Sequence, residues 1–359
     1  MRYPWAIVFI VLLFPVIANA TTPAVSNVTG TVEAGQILTI TGTTMVDEDK
    51  TNWIDATANG GPNFTTGDDY GFEHATYEST IYPATPDDNN ERVISYDSSV
   101  KLMGNRSLKG YDAGASNGNM ISTGVYMYTN GASEYYVRWY GRWHTTGATQ
   151  WPTLWSKMMD LPGSSAMWYW QPPAGSNYPT QLNMRYNDTD HVNSVSNFLQ
   201  ADRWYCFETR MKVNATSNWT TWVDGTQIAT ASPTLGEGVN LDWILFNGPN
   251  YSGTDSSFTM TAWTDNMTVS SARVYCSTMV EICDSATYSG ATCVKQPLTT
   301  IGDTSTVIIA DLTGLGAAPY YLYVTNNKQE TSSAYSLSGG GDSAPPMMSG
   351  GTITGGILQ

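Results

Sequence analysis

The chain has 359 residues, enough for one large domain or two modest ones. Only 13% of them are charged, with 16 Lys and Arg against 31 Asp and Glu. This acidic balance argues against nucleic acid as a partner, because such binding depends on basic patches. The many Tyr, Trp, Thr and Gly residues, without a long amphipathic helical pattern, predict an all-β protein.

Residues 1–20 are expected to be a secretory signal peptide. Arg2 supplies the positive start, an apolar run follows, and Ala18-Asn19-Ala20 forms a cleavage site with small residues at both ends. The apolar run is short for a membrane span, and Pro15 interrupts it. We therefore expect a secreted or cell-surface protein with no membrane span after processing.

Residues 21–47 and 276–338 are expected to belong together. The first segment contains G-x-x-L-T-I-x-G, and the second contains T-S-T-V-I-I and Y-L-Y-V-T-N. These phrases resemble the opening and closing strands of an IPT/TIG-type Ig-like domain. The resemblance implies a small Ig-like β-sandwich, split in sequence by an inserted domain at residues 50–275. The alternative is that both segments add strands to one large sandwich.

Strand patterns with turn signals between them fill the inserted region, which predicts a sandwich. From Trp204 to Val213, side chains alternate between two faces, as in a half-buried strand. Asp224-Gly225 then predicts a two-residue hairpin turn. The expected strands are 97–110, 120–129, 134–145, 152–160, 166–171, 180–187, 203–214, 218–224, 226–231, 242–247 and 257–275.

The phrase E-x-x-x-K-x-N followed by W-x-x-W-V-D-G, from Glu208 to Gly225, resembles the concanavalin A-like group. That group includes laminin-G-like modules, legume-type lectins and several polysaccharide lyases. The resemblance implies a jelly-roll sandwich over roughly residues 65–275. No catalytic signature accompanies it.

An unusual cationic and aromatic pattern occurs in the strand predicted at 134–145. One face carries apolar and aromatic residues and is predicted to pack in the hydrophobic core: Tyr135, Val137, Trp139, Gly141 and Trp143. The other face carries a cationic and aromatic stripe: Tyr136, Arg138, Tyr140, Arg142 and His144. If the stripe meets further polar and aromatic residues on one concave sheet, a groove for acidic polysaccharide results. The further residues are Trp168, Trp170, Gln181, Asn183 and Arg185.

The resemblance to jelly-roll lyases implies roles for these residues in β-elimination. Arg138, or Arg185 with Asn183, would neutralise a uronate carboxylate, His144 would be the base, and Tyr140 or Tyr136 the acid. The lyase signatures R-x-E-x-x-R, Q-x-H and Y-x-K-x-G-x-Y are absent. The alternative is a solvated strand face without catalysis. A glycosidase is not expected, because no suitable carboxylate pair is evident.

A structural calcium ion is the one cofactor expected. Jelly-roll carbohydrate-binding modules often hold such an ion between the first and last strands, and the matching residues are Glu73 and Asp265. Asp68 and Asp69 would complete the oxygen ligands. The alternative is that these residues form an ordinary loop and turn.

Four cysteines in an exported chain predict two disulfides. Cys206, Cys276, Cys283 and Cys293 allow three pairings, of which Cys283–Cys293 with Cys206–Cys276 is the simplest. Their spacing does not match a zinc site.

Residues 339–359 are rich in Gly, Ser and Pro and are expected to be a flexible tail. The resulting functional hypothesis is a carbohydrate-binding or cell-surface structural module, with polysaccharide or surface matrix as partner. The alternatives are a uronate-specific polysaccharide lyase and a self-assembling subunit of a surface layer or appendage.

Overall fold

A computed structural model describes the central part of the chain: residues 22–46, 57–58, 92–112, 124–132, 134–146, 156–160, 167–171, 181–186, 189–194, 200–212, 218–231, 241–251 and 259–337. Within these residues the protein is all-β, so the predicted fold class is confirmed. No helix in this part is long and apolar enough to cross a membrane. The predicted signal peptide and the predicted tail lie outside the described residues.

The described residues form 22 strands. In chain order they are β1 (Ala24–Thr29), β2 (Ile37–Thr43), β3 (Thr57–Ala58), β4 (Arg92–Asp97), β5 (Ser107–Asp112), β6 (Gly124–Ala132), β7 (Glu134–Thr146), β8 (Ser156–Asp160), β9 (Met167–Gln171), β10 (Gln181–Tyr186), β11 (Thr189–Ser194), β12 (Tyr205–Lys212), β13 (Asn218–Val223), β14 (Thr226–Ala231), β15 (Leu241–Tyr251), β16 (Thr259–Ser270), β17 (Thr278–Cys283), β18 (Cys293–Lys295), β19 (Leu298–Thr300), β20 (Ser305–Ile309), β21 (Tyr320–Asn326) and β22 (Tyr335–Leu337).

The strands form four antiparallel sheets, two large and two small. The first large sheet has the order β14-β13-β12-β7-β16-β5-β4, and the second has β11-β10-β9-β8-β15-β6-β3. Two large antiparallel sheets are consistent with a jelly-roll sandwich. The small sheets have the orders β1-β2-β20-β19 and β18-β17-β21-β22.

Turn chemistry explains both a correct and an incorrect strand prediction. The hairpin at Asp224-Gly225 is confirmed, because both residues have positive φ and Val223 pairs with Thr226. The single strand predicted at 97–110 is wrong, because β4 ends at Asp97 and β5 begins at Ser107. The Asp97 carboxylate accepts hydrogen bonds from the backbone amides of Ser99 and Val100, which turns the chain out of the sheet.

The predicted core face of β7 is confirmed. Tyr135, Val137, Trp139 and Trp143 are all buried. The Trp139 ring stacks on that of Phe207 at 5.2 Å, and Trp143 meets Phe207 edge to face at 5.6 Å. Such aromatic pairs contribute beyond the area they bury. This face therefore packs as a hydrophobic core.

One small sheet joins the two ends of the described chain. β2 pairs with β20, with Leu38 opposite Ile308. The alternation in β2 leaves Leu38 and Ile40 fully buried and Ile37 exposed. The pairing expected between the two distant segments is thus present. The Ig-like assignment and the domain boundaries stay predictions.

A single hydrophobic core links the small sheets to the first large sheet. Leu38 and Ile40 belong to the same cluster of buried residues as Tyr140, Trp204 and Trp263. The backbone of Trp204 also bridges to Leu298. The small sheets therefore cover part of the outer face of the first large sheet.

The simplest of the predicted disulfide pairings is confirmed. Cys206 is bonded to Cys276, and Cys283 to Cys293. The first bond ties β12 to the segment that enters the small sheets. The second closes the loop between β17 and β18, where the two cysteines are directly opposite each other.

Candidate functional site

The cationic and aromatic stripe lies on β7, and we call it the β7 stripe. Its centre is buried and does not line a groove. Arg138 and Tyr140 are both fully buried. Arg138 donates from Nη1 to the carbonyl of Tyr275 at 3.1 Å, and from Nη2 to Asn266 Oδ1 at 2.8 Å. The Tyr140 hydroxyl lies 3.4 Å from the Thr278 carbonyl oxygen. The expectation that these two side chains face polysaccharide is corrected, because the segment between β16 and β17 encloses Arg138 and Tyr140 packs in the core shared with the small sheets.

A bulge in β16 builds the pocket for Arg138. The register between β16 and β7 shifts between Asp265 and Thr268, and Asn266 has a φ of 47°. This conformation accompanies a network in which Asn266 accepts from Arg138 and donates from Nδ2 to Ser277 Oγ at 2.5 Å. Thr268 Oγ1 is a further acceptor for Arg138, at 2.9 Å. The guanidinium is therefore held by a polar network, as a buried charge requires.

Asp265, a predicted calcium ligand, uses its carboxylate on backbone amides. Oδ2 accepts from the amides of Leu102 and Met103 at 2.7 and 3.1 Å, and Oδ1 accepts from the amide of Asn266 at 2.7 Å. This interaction fixes the loop between β4 and β5 against the bulge. Its predicted partners Glu73, Asp68 and Asp69 lie outside the described residues, so the calcium site stays a prediction.

A buried carboxylate lies beside the first disulfide. Glu208, Cys206 and Cys276 are clustered, but the two sulfurs are bonded to each other and do not form a metal site. Glu208 Oε2 accepts from Arg273 Nε at 2.7 Å. Burial raises the pKa of Glu208, and the nearby Arg273 and Arg138 charges offset part of that rise. Arg273 also lies 3.8 Å from the centre of the Trp222 ring system.

Tyr136, at the start of the β7 stripe, belongs to a half-buried ionic group. Glu134 accepts from Arg210 Nε at 2.7 Å, and Lys212 Nζ lies 3.3 Å from its second oxygen. Burial would raise the pKa of Glu134, but the hydrogen bonds from Arg210 and Lys212 outweigh it and lower that pKa. The Tyr136 hydroxyl lies 3.5 Å from Glu134 Oε1. Tyr136 therefore lies beside an ion-paired group within the first large sheet.

Arg142 and His144, at the other end of the stripe, converge on Asp202. His144 Nδ1 lies 2.9 Å from Asp202 Oδ2, and Arg142 Nη2 lies 3.2 Å from Oδ1. Burial would raise the pKa of Asp202, but the hydrogen bonds from His144 and Arg142 prevail and lower it. The Arg142 guanidinium also lies 5.5 Å from the centre of the Trp263 ring system. Arg142 and His144 are accessible, but each is paired with Asp202.

The predicted groove does not assemble, because its members belong to different sheets. β7, with the stripe, is central to the first large sheet, whereas β9 and β10 belong to the second. His144 and Arg185 therefore do not share a sheet face. The sequence analysis placed neighbouring strands in one sheet, but the chain passes from the first large sheet to the second after β7.

The register of the second large sheet separates the remaining predicted residues into two sets. Trp168 and Trp170 are directly opposite Met184 and Leu182. Because directly opposed residues share a sheet face, the two tryptophans fall on the face of an apolar set. The polar set Gln181, Asn183 and Arg185 is instead opposite Gln171, Tyr169 and Met167. The prediction that the tryptophans and the polar set line one surface is wrong.

A row of polar residues crosses four adjacent strands of this sheet. Asn183 is paired with Tyr169, Tyr169 with Lys157, and Lys157 with Asn250. We call these four residues the polar row. The analysis of single strands missed Tyr169 and Asn250, although the M-W-Y-W-Q alternation of β9 already separates Tyr169 from its two tryptophan neighbours.

No protein-family model and no curated protein matches the chain. Among solved structures it is similar to "Cellulose induced protein, Cip1", with 20% identity, 53% of this chain and 91% of that chain covered, and a TM-score of 0.38. It is also similar to an endo-β-1,4-glucuronan lyase from the fungus Trichoderma reesei, with 16% identity, 51% of this chain and 89% of that chain covered, and a TM-score of 0.38. A third similar structure is alginate lyase Aly36B, with 10% identity, 62% of this chain and 98% of that chain covered, and a TM-score of 0.37. These values do not establish a function for this chain.

Proposed function

We propose that the protein is an exported carbohydrate-binding module whose binding face is the polar face of the second large sheet. One observation carries the proposal: the polar row crosses the adjacent strands β15, β8, β9 and β10, with each member directly opposite the next. Directly opposed residues on neighbouring strands share a sheet face, with Cβ atoms about 5 Å apart, so the row would offer donors, acceptors and one aromatic ring side by side.

The residue types in and beside the polar row suit an acidic polysaccharide. Lys157 and Arg185 can pair with uronate carboxylates, and Asn183 and Gln181 can bond hydroxyl groups. Tyr169 has an aromatic ring on which a sugar can stack and a hydroxyl group that can form hydrogen bonds. The chain has a formal net charge of −15, so acidic ligands need such a local concentration of cations.

The side chains of the first large sheet support the same choice. The centre of the β7 stripe is buried, and the accessible Arg142 and His144 are paired with Asp202. Binding a uronate there would require breaking those pairs. The second large sheet is therefore the better candidate for recognition.

Calorimetric titration with alginate tetrasaccharide, and with cellotetraose as a neutral probe of equal length, tests the proposal. Lys157→Ala is expected to weaken binding of the acidic probe about tenfold, the loss of one charge-assisted hydrogen bond. Lys101→Ala is the matched control, since it removes the same charge from the loop between β4 and β5 and should bind like the unmodified chain. Equal binding by the unmodified chain and Lys157→Ala would refute the proposal.

The salt dependence of the titration is a second test of the same site. Exposed charges are screened over about 10 Å at 0.1 M salt, so the unmodified chain should lose affinity for the acidic probe as salt rises. Lys157→Ala should show a shallower dependence, because it has one fewer cation to screen. Identical dependences would contradict a role for Lys157.

A second candidate function is cleavage of uronate chains by β-elimination. It is favoured by the direct opposition of Lys157 and Tyr169, because β-elimination needs a group that exchanges protons and a cation that can pair with the uronate carboxylate. Absorbance of unsaturated uronate products tests this reading. Tyr169→Phe should abolish product formation while it retains most binding. Binding without product formation by the unmodified chain would exclude the lyase and leave the binding module.

A further inference from the structure

A loop in the small sheets holds a tyrosine out to solvent on a fixed support. The loop runs from Asp284 to Thr292, between β17 and β18, and the Cys283–Cys293 disulfide closes it. At its base, the amide of Asp284 donates to the Thr292 carbonyl at 3.1 Å, and the amide of Thr292 donates to Asp284 Oδ1 at 2.9 Å. The loop is therefore well anchored before any ligand arrives.

Tyr288 is at the outer part of this loop. It is 42% exposed, the most exposed aromatic side chain among those the structure describes. Its hydroxyl donates to the carboxylate of Glu281, and its ring centre lies 5.0 Å from that of Tyr323. The Tyr323 hydroxyl in turn donates to the Ser285 carbonyl at 3.0 Å. The exposed ring is thus held in one orientation, so ligand binding would not incur the entropic cost of ordering it.

The charges around the ring select the class of ligand. Glu281 is directly opposite Lys295 on β18, but the Lys295 ammonium binds the Asp224 carbonyl and, at 2.7 Å, Thr226 Oγ1. The acidic group beside Tyr288 is therefore Glu281, and Asp284 follows at the base of the loop. Carboxylates accept hydrogen bonds from hydroxyl groups and repel anions. An aromatic face beside a carboxylate suits an uncharged sugar.

We infer that Tyr288, on Tyr323 and beside Glu281, is a binding subsite for a neutral pyranose unit of a polysaccharide. Its preference is opposite to that of the polar row, which contains Lys157. This inference shares with the proposed function the expectation of a carbohydrate ligand, but it concerns a different sheet and different residues. The two sites would let one chain contact acidic and neutral polysaccharide.

Depletion of the full chain from solution by three insoluble neutral polysaccharides, cellulose, mannan and chitin, tests the inference. The unmodified chain is expected to bind at least one of them. Tyr288→Ala should reduce that binding at least about fivefold, as expected for truncation of an aromatic anchor. Tyr288→Phe keeps the ring and should retain most binding. Ile37→Ala is the matched control, because Ile37 is 61% exposed and lies on another small sheet.

Two outcomes would overturn the inference. One is that the unmodified chain binds none of the three polysaccharides. The other is that Tyr288→Ala, with both disulfides intact by thiol counting, binds as well as the unmodified chain. Titration with alginate tetrasaccharide in parallel separates the two proposals, because Tyr288→Ala should leave acidic binding unchanged. Failure of acidic binding alone would refute the polar row and not this subsite.

Discussion

The β7 stripe and the polar row contain similar residues in similar alternating strands, but their surroundings differ. Arg138 and Tyr140 of the stripe are fully buried, Tyr140 in the core shared with the small sheets and Arg138 in the network at Asn266 and Tyr275. The polar row belongs to the other large sheet, and its members are directly opposite one another. The comparison teaches that polar alternation identifies the face turned away from the sandwich core. Whether solvent or another part of the chain covers that face is a separate question.

The largest expected effect tests the burial of the stripe. Arg138→Ala removes a guanidinium from a closed network of Asn266, Thr268 and the Tyr275 carbonyl. The truncation leaves a cavity and buried acceptors without a donor, which costs about 4 kcal/mol in the free energy of unfolding. Urea denaturation measures it. Arg142→Ala, four residues along the same face, should cost less than about 1 kcal/mol, because its partner is exposed. Equal losses of unfolding free energy in the two variants would contradict the burial of Arg138 and the exposure of Arg142.

The next largest effect concerns Arg273, which pairs with buried Glu208. Arg273→Ala should cost about 3 kcal/mol at pH 7, because it leaves a buried carboxylate without its partner. The pKa of Glu208 is already raised by burial. A raised carboxyl pKa favours folding at low pH and loses that contribution as pH rises through the folded value. The destabilisation should therefore be smaller at pH 4 than at pH 7.

A double variant provides the control for this pair. Glu208→Gln with Arg273→Ala removes the charge as well as its partner, so much of the stability lost at pH 7 should return. Its stability should also change less between pH 4 and pH 7. If Arg273→Ala lowers the unfolding free energy equally at both pH values, the effect comes from lost packing on Trp222 and not from charge.

An intermediate effect tests the packed inner face of β7. A Cβ added at Gly141 would lie 2.6 Å from the Trp143 ring and 3.2 Å from that of Phe207. Gly141→Ala should therefore cost about 2 kcal/mol by overpacking. Gly316→Ala is the control, since nothing lies within 4 Å of its added Cβ. Thermal denaturation of both variants checks this, and a fully tolerated Gly141→Ala would contradict the described core.

The smallest effect is expected at the accessible end of the stripe. Asp202→Asn removes the partner of Arg142 and His144 and should change stability by only about 0.5 kcal/mol, as for other exposed pairs. The pKa of Asp202 is lowered, so its contribution is present above the usual carboxyl range and fades as pH falls through the folded value. The difference from the unmodified chain should therefore be larger in denaturation at pH 7 than at pH 3.

Local patterns predicted much of the fold. Asp224-Gly225 identified a hairpin, and alternation in β7 identified its core face, because both depend on neighbouring residues. The loop at 98–106 was missed, since it depends on Asp97 accepting hydrogen bonds from the following amides. The bulge at Asn266 was missed as well, because its network involves Ser277 and Arg138, both distant in sequence.

The candidate site was harder to predict than the strands. Gln181, Asn183 and Arg185 were correctly grouped on one strand, but assigning them to the sheet of His144 was wrong. Strand order depends on long-range pairing, which alternation within a strand does not encode. The same limit applies to Trp168 and Trp170, whose register against Met184 and Leu182 separates them from Asn183. Register, and not composition, defines the polar row.

Hydroxyl-radical footprinting with and without bound alginate tetrasaccharide tests the central claim most directly. The method compares the oxidation rates of individual side chains in the free and bound protein. If the polar row is the binding face, the ligand should lower oxidation of Tyr169 and leave Tyr136 and His144 unchanged. Protection of Tyr136 and His144 without protection of Tyr169 would show that the first large sheet binds the polysaccharide, and would contradict the account.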